Sequence, residues 1–246
     1  MSKIRFTEPN REILARRDSI INDLTRLVDP AGLITSTDEC RAYETDALTA
    51  YRKMPLAVVL PKTTEEVSAV LKYCHDTGVK VVPRGAGTSL AGGAIPSEDA
   101  VVLGLSKMNR VLAVNYDDRF IRVEAGVTNL SVTAVVAENG FFYGPDPSSQ
   151  LACTIGGNIA NNSGGAHCLK YGVTTNNLLG VRMVLIDGSI IDLGGDYLDS
   201  AGLDLLGLVV GSEGQLGIVT EATLRILKSA EGARPVLFGF PSCEGA

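Results

Sequence analysis

The period of the apolar residues changes partway along the chain, and that change constrains the fold more than any other feature. Apolar runs at 56–60 and 79–82 bracket Val67, Val70, Leu71 and Cys74 at helical spacing, opened by Thr63-Thr64-Glu65-Glu66 and closed by Gly78. This reads as strand, helix, strand, with a crossover short enough to make the two strands parallel neighbours. Farther on, 111–116 and 120–124 flank Asp117-Asp118-Arg119, and 181–186 and 190–193 flank Asp187-Gly188-Ser189. Both read as antiparallel hairpins. A parallel unit followed by hairpins needs two sheets, which is an α+β arrangement.

The remaining segments fill in around these. Residues 12–28 carry Ile13, Ile20, Ile21, Leu24, Leu27 and Val28 at mostly helical spacing, stopped by Asp29-Pro30. Residues 100–105 read as a strand, Thr128 caps a helix running to Glu138, 203–209 form a short helix, and 218–227 the last strand of the sheet. Near the end, 236–240 read as a strand, and Ser242 with Glu244 as the first turn of a further helix.

Charge and cysteine content narrow the function. Among 246 residues, 22 basic side chains against 28 acidic give a net charge of −6 with no long single-sign block. Such a surface argues against general binding to nucleic acid or anionic membrane. Five cysteines without a short pair spacing fit neither a disulfide framework nor a zinc ribbon and favour a reducing compartment. No apolar run is long enough to cross a bilayer, so a soluble, cytoplasmic protein is expected.

The 27 glycines concentrate at 85–93 and 156–172. In the first stretch, Pro83, Arg84, Gly85, Ala86, Gly87, Thr88 and Ser89 follow an apolar strand. Small residues let backbone approach a ligand, and successive N–H groups with two hydroxyls and an arginine make an anion nest suited to a pyrophosphate. A tight structural turn is the plain alternative. The Rossmann fingerprint is not met, because Leu90 stands where its third glycine belongs and a strand follows instead of a helix. No Gly-Lys pair exists to make a P-loop.

The second stretch, prefaced by Gly144-Pro145-Asp146-Pro147, runs Thr154-Ile155-Gly156-Gly157-Asn158-Ile159-Ala160-Asn161. Asparagine amides both donate and accept, which suits a flavin edge or ribityl hydroxyls; a bland Asn/Gly loop is the alternative. A third turn, Gly211-Ser212-Glu213-Gly214, enters the last strand through Ile218 and Val219. Of two histidines, His75 falls off the apolar helix face, and His167 lies in the second stretch beside Cys168 and Lys170. Neither makes a metal motif, and no Gly-x-Ser-x-Gly elbow offers a hydrolase nucleophile. No catalytic residue is assigned.

The strings PRGAGTSLAGG, GPDP, TIGGNIANNSGGAHCLKYG and GSEGQLGIVTEATLRIL, in that order, resemble the PCMH-type (vanillyl-alcohol-oxidase) FAD-binding domain. Within it the chain is most similar to the flavin-binding subunit of glycolate oxidases and its relatives, the D-lactate and D-2-hydroxyglutarate dehydrogenases. The resemblance implies two lobes gripping FAD, a small parallel β-α-β lobe and a larger mixed, mostly antiparallel one with flanking helices. It places the FAD domain at 54–228 (lobes 54–110 and 111–228), after a helical segment at 1–53 and before the start of a truncated substrate or cap domain at 229–246. It implies that Pro83 to Ser89 bind pyrophosphate, that Pro145, Thr154, Gly157, Asn158 and Asn161 line the ribityl and ring region, and that Glu213, Ile218 and Val219 lie along the nucleotide. With Thr88 and Ser89 where covalently tethered relatives carry histidine, FAD is expected to be non-covalent. The implied function is hydride transfer from a small 2-hydroxy acid to flavin, with electrons passed to a partner subunit or other acceptor. The substrate-binding residues and the base are expected in the second half, so this chain should bind FAD and turn over poorly. A non-catalytic FAD-binding regulatory module is the rival from another class.

Overall fold

In the computed structural model, which describes residues 7–196, 202–232 and 234–245, the chain opens with two short helices, α1 (Arg11–Ala15) and α2 (Arg17–Leu24). The single helix expected over 12–28 is thus broken at Arg16, whose φ of −95° and ψ of 8° are not helical. Residues 1–6 of the expected N-terminal segment lie outside the described residues. Strand β1 (Leu33–Ile34), helix α3 (Thr37–Cys40), strand β2 (Ala57–Val59), helix α4 (Thr64–Thr77), strand β3 (Lys80–Arg84) and strand β4 (Ala100–Gly104) complete the first layer.

The first sheet has the order β1-β2-β4-β3, with β4 parallel to both of its neighbours and β1 antiparallel at the edge. The expected pairing of 56–60 with 79–82 is therefore corrected: those strands are parallel, but β4 lies between them. Composition explains the order. Every residue of β4 is buried, as suits a strand covered on both faces, whereas β3 carries exposed Lys80 and Pro83, which lacks the N–H an inner strand must donate.

Helix α4 follows its sequence signals closely. Thr63 Oγ1 accepts from the Glu66 amide at 3.2 Å, and Gly78 closes the helix at φ +74°. Its buried face, Val67, Val70, Leu71 and Cys74, packs in one cluster with Leu103 of the first sheet and with Val184 and Ile218 of the second. One amphipathic helix thus shares its core between two sheets.

The second sheet is built from β5 (Val111–Asn115), β6 (Phe120–Glu124), β8 (Leu178–Val184), β9 (Ile190–Gly194) and β10 (Ile218–Arg225), in the order β5-β6-β10-β8-β9. Between β6 and β8 the chain forms α5 (Asn129–Val136), β7 (Phe141–Phe142), α6 (Ile155–Asn161) and α7 (Cys168–Tyr171). Both expected hairpins form, and β10 enters between them, antiparallel to β6 and β8. Helix α8 (Leu205–Val209) precedes β10, and β11 (Leu227–Lys228) pairs with β7. The core of this half joins Ile121, Val123, Met183 and Leu224 of the sheet to Val132 and Val136 of α5 and to Ile155 and Ile159 of α6.

Two further expectations are corrected. Residues 236–240 form no strand, and Val236, Leu237, Phe238 and Phe240 are exposed; a strand needs a ladder partner, and none of the described residues supplies one. After it, Glu244 belongs to a single 3₁₀ turn, Cys243–Gly245, whose Gly245 amide donates to the Ser242 carbonyl at 3.2 Å.

Candidate functional site

Three segments converge on one cavity of about 330 Å³. The first is the glycine loop that leaves β3, the second is one face of α6, and the third is the turn between α8 and β10. Helix α6 was not expected in a stretch so rich in glycine and asparagine. It forms because Thr154 Oγ1 caps it, accepting from Gly157 N–H at 3.3 Å, and because Ile155 and Ile159, one turn apart, both anchor in the core. That Thr cap and the Ile spacing are the signals by which the sequence announces it.

Backbone bonds and bare glycines fix the three segments to one another. The amides of Ile155 and Gly156 donate to the carbonyls of Val127 and Ala125, at 2.9 and 2.8 Å. At the other end of α6, the amides of Gly211 and Glu213 donate to Ile159 and Ala160, again at 2.9 and 2.8 Å. A Cβ on Gly85 would stand 2.5 Å from Thr154 Oγ1, so the glycine loop meets α6 only because Gly85 has no side chain. Asn161 Nδ2 donates to the Gly157 carbonyl at 2.9 Å, and Ser89 Oγ reaches Asn161 Oδ1 at 3.4 Å.

The expected site residues are brought together with one exception. Pro83, Arg84, Gly85, Ala86, Gly87, Thr88 and Ser89, then Thr154, Gly157, Asn158 and Asn161, then Glu213, Ile218 and Val219 all line the cavity. Pro145 does not; it is buried in its own loop, where its carbonyl accepts from Asn129 Nδ2 at 3.1 Å. The sequence reading passed over Cys153, Ser149, Ser163 and Val209, which also line the walls. Cys153 immediately precedes the α6 cap, and Ser163 follows the helix end, so both become visible once α6 is recognised.

Two polar groups set the character of the cavity. Asn158 is 1% exposed, and its Nδ2 has no hydrogen-bond partner, an unmatched donor on the wall. Arg84 is folded back: Nη1 donates to the Thr45 carbonyl at 2.7 Å, and the guanidinium lies 5.5 Å from the centre of the Tyr43 ring. Burial lowers its pKa, partly offset by the negative charge of Asp46.

His167 stands outside the lining. Its Nδ1 is 2.6 Å from Asp146 Oδ2, and its amide donates to Asp146 Oδ1 at 3.1 Å. Burial would raise the Asp146 pKa, but the hydrogen bonds and charge of His167 outweigh it and hold the carboxyl below its ordinary value. Among the described residues no cluster of His, Cys, Asp and Glu is arranged to hold a metal ion, and no helix is long and apolar enough to cross a membrane.

Comparison with known proteins places this arrangement. The family model described as FAD binding domain matches residues 55–194. Over 230 residues the chain is 47% identical to glycolate oxidase subunit GlcD of Escherichia coli (strain K12), covering 94% of this chain and 46% of that protein. It is 39% identical over 230 residues to a D-lactate dehydrogenase of Archaeoglobus fulgidus, covering 93% of this chain and 51% of that protein. The chain therefore spans about half the length of these relatives. In fold it is similar to a solved alkyldihydroxyacetonephosphate synthase, with a TM-score of 0.79 at 23% identity over 93% of this chain and 43% of that one. The chain belongs to the family of PCMH-type FAD-binding domains, and its cofactor is FAD.

Proposed function

We propose that the chain is the flavin-holding part of an oxidoreductase acting on small 2-hydroxy acids, of the kind to which glycolate oxidase subunit GlcD belongs, with D-lactate and D-2-hydroxyglutarate as alternative substrates. The observation that carries the flavin part is the buried Asn158 Nδ2, left without a protein partner on the cavity wall. A donor in that state is costly to keep unless a ligand acceptor meets it. The residues present fit FAD: the backbone of 85–89 with the Thr88 and Ser89 hydroxyls suits the two phosphates, and Asn158 and Asn161 suit the ribityl chain and ring edge. Glu213, Ile218 and Val219 flank the nucleotide from the third segment. The domain bounds that go with this reading are 54–228, with lobes meeting near residue 110.

When bound, FAD supplies hydride acceptance at N5 from the substrate Cα. The chain's own part is to orient the cofactor and exclude water with the walls that the bare Gly85 lets meet. Among the described residues, no imidazole or amine lines the cavity, and its one lining carboxylate, Glu213, lies along the nucleotide in this reading, so the group that takes the hydroxyl proton is assigned to the part of the relatives' length that this chain does not span. A partner subunit that accepts the electrons and a cytoplasmic setting complete the reading.

The test is a visible spectrum of the chain mixed with FAD, desalted, then precipitated with acid. A flavin band kept through desalting and released into the supernatant supports a non-covalent FAD site; a colourless protein overturns it. Anaerobic addition of glycolate, D-lactate or D-2-hydroxyglutarate to the full-length protein should bleach the band. Full-length protein bleached by none of the three is a binding module and not an enzyme of this class.

A further inference from the structure

The glycine loop does not stand on its own strand alone. Beneath it runs the turn at 43–48, which lies before the start of the matched family region. The Ala47 amide donates to the Gly87 carbonyl at 3.0 Å, and Arg84 Nη1 grips the Thr45 carbonyl. A Cβ added to Gly87, which sits at φ +70°, would stand 2.3 Å from Arg84 Nη2, so the loop rests directly on the guanidinium. Asp46 is 5% exposed; its Oδ1 accepts from the Leu48 amide at 2.9 Å, and its charge acts on Arg84. The arginine is thus engaged with a carbonyl, an aromatic face and a nearby carboxylate, all on the side of the turn.

We propose that Arg84 is a positioning residue that acts on the cofactor through Gly87, and that the turn at 43–48 is a working part of the FAD site. This rests on the FAD reading above. The competing role, a guanidinium that binds the phosphates itself, makes opposite demands. A phosphate ligand needs positive charge, which lysine keeps, and its removal should weaken the salt dependence of binding. A brace needs the planar fork, which lysine lacks, and is equally weakened by removing the Ala47 N–H, a change that touches neither charge nor cavity.

The variants are therefore Arg84→Lys, Arg84→Gln and Ala47→Pro in the whole chain, read by FAD and riboflavin titration and by hydrogen exchange at 85–89 without ligand. The expected result is a tenfold or greater loss of FAD affinity in Arg84→Lys and in Ala47→Pro. Riboflavin, which has no phosphate, should bind as to the parent, and Arg84→Gln should keep the parent's salt dependence. The amides of 85–89 should exchange at least tenfold faster in both clamp variants while the thermal midpoint moves by only a few degrees. Parent-like FAD affinity in Arg84→Lys, with a flatter salt dependence in Arg84→Gln, overturns the proposal in favour of direct phosphate binding. Should Ala47→Pro fail to fold, Arg84→Lys carries the same readings. Should the parent chain retain no FAD, the cofactor reading fails by itself, and unchanged exchange at 85–89 still overturns the brace.

Discussion

Thr64 and Thr220 share a buried hydrogen bond, Oγ1 to Oγ1 at 3.0 Å across 156 positions of sequence, which joins the first turn of α4 to β10. The Thr220 hydroxyl also lies 3.2 Å from the Arg182 carbonyl, so the pair ties the helix of one sheet to two strands of the other. Replacing Thr220 with valine keeps the shape and strands the Thr64 hydroxyl in the core, at a cost of about 1–3 kcal/mol. Urea unfolding of Thr220→Val, Thr64→Val and the double variant checks this. The double variant should lose clearly less than the sum of the singles; strict additivity would show that the bond couples nothing.

Asn158→Leu removes the unpartnered donor with little change of volume. The chain without flavin should be as stable as the parent or more so, because an unsatisfied buried amide is gone. FAD affinity should fall about tenfold or more, a change of about 1.4 kcal/mol or above. Thermal melts with and without FAD separate the two effects, and a variant that loses stability and keeps its flavin would contradict the assignment of Asn158 to the cofactor.

Gly85→Ala puts a methyl group 2.5 Å from the Thr154 hydroxyl at the seam between the glycine loop and α6. Overpacking of this kind costs about 1–3 kcal/mol, and here it pushes apart two walls of the cavity. FAD titration is expected to show an affinity loss of at least tenfold, larger than the effect of Gly239→Ala, whose added Cβ meets nothing within 4 Å.

Acid should release the N-terminal helices. Asp99 is 1% exposed, bridges to Lys80 Nζ at 2.8 Å and accepts from the Asn10 amide at 2.9 Å. Burial alone would raise its pKa, but Lys80, Asn10 and Ser97 outweigh burial and hold it at about 2 against an ordinary 3.8. A depressed folded-state pKa means stability that is whole above about pH 4 and lost as pH falls towards 2, on the order of 2 kcal/mol. Asp99→Asn should be destabilised at pH 7, and the gap between its urea midpoint and that of the parent should narrow below about pH 4 and close only below about pH 2.

What the sequence showed and what it hid follow one physical division. Elements whose signals are local were legible: α4 with its Thr63 cap and Gly78, and the hairpins built on tight polar turns. The strand order was not, because the place of β4 between β2 and β3 depends on pairing across the chain, although Pro83 marks β3 as unable to be an inner strand. Helix α6 was masked by two glycines and two asparagines, poor helix formers that packing of Ile155 and Ile159 overrides. For the same reason the contents of the cavity were legible by type, while the side of its loop that Arg84 faces was not: charge can be read from sequence, but the direction a guanidinium points cannot. Pro145 stands outside the cavity lining, its carbonyl held by Asn129, a contact that no local signal announces.

The seams that join α6 to residues 125–127 and to 211–213 are made from main-chain amides and carbonyls, which every residue but proline supplies in full. Side chains along those seams can therefore drift without loosening the walls, so long as the few glycines that permit contact stay bare. An architecture secured in this way tolerates divergence of its side chains, and the fold itself is shared at a TM-score of 0.79 with a protein only 23% identical. Evolution is left free to rewrite the lining for new substrates while the frame that carries it stays the same.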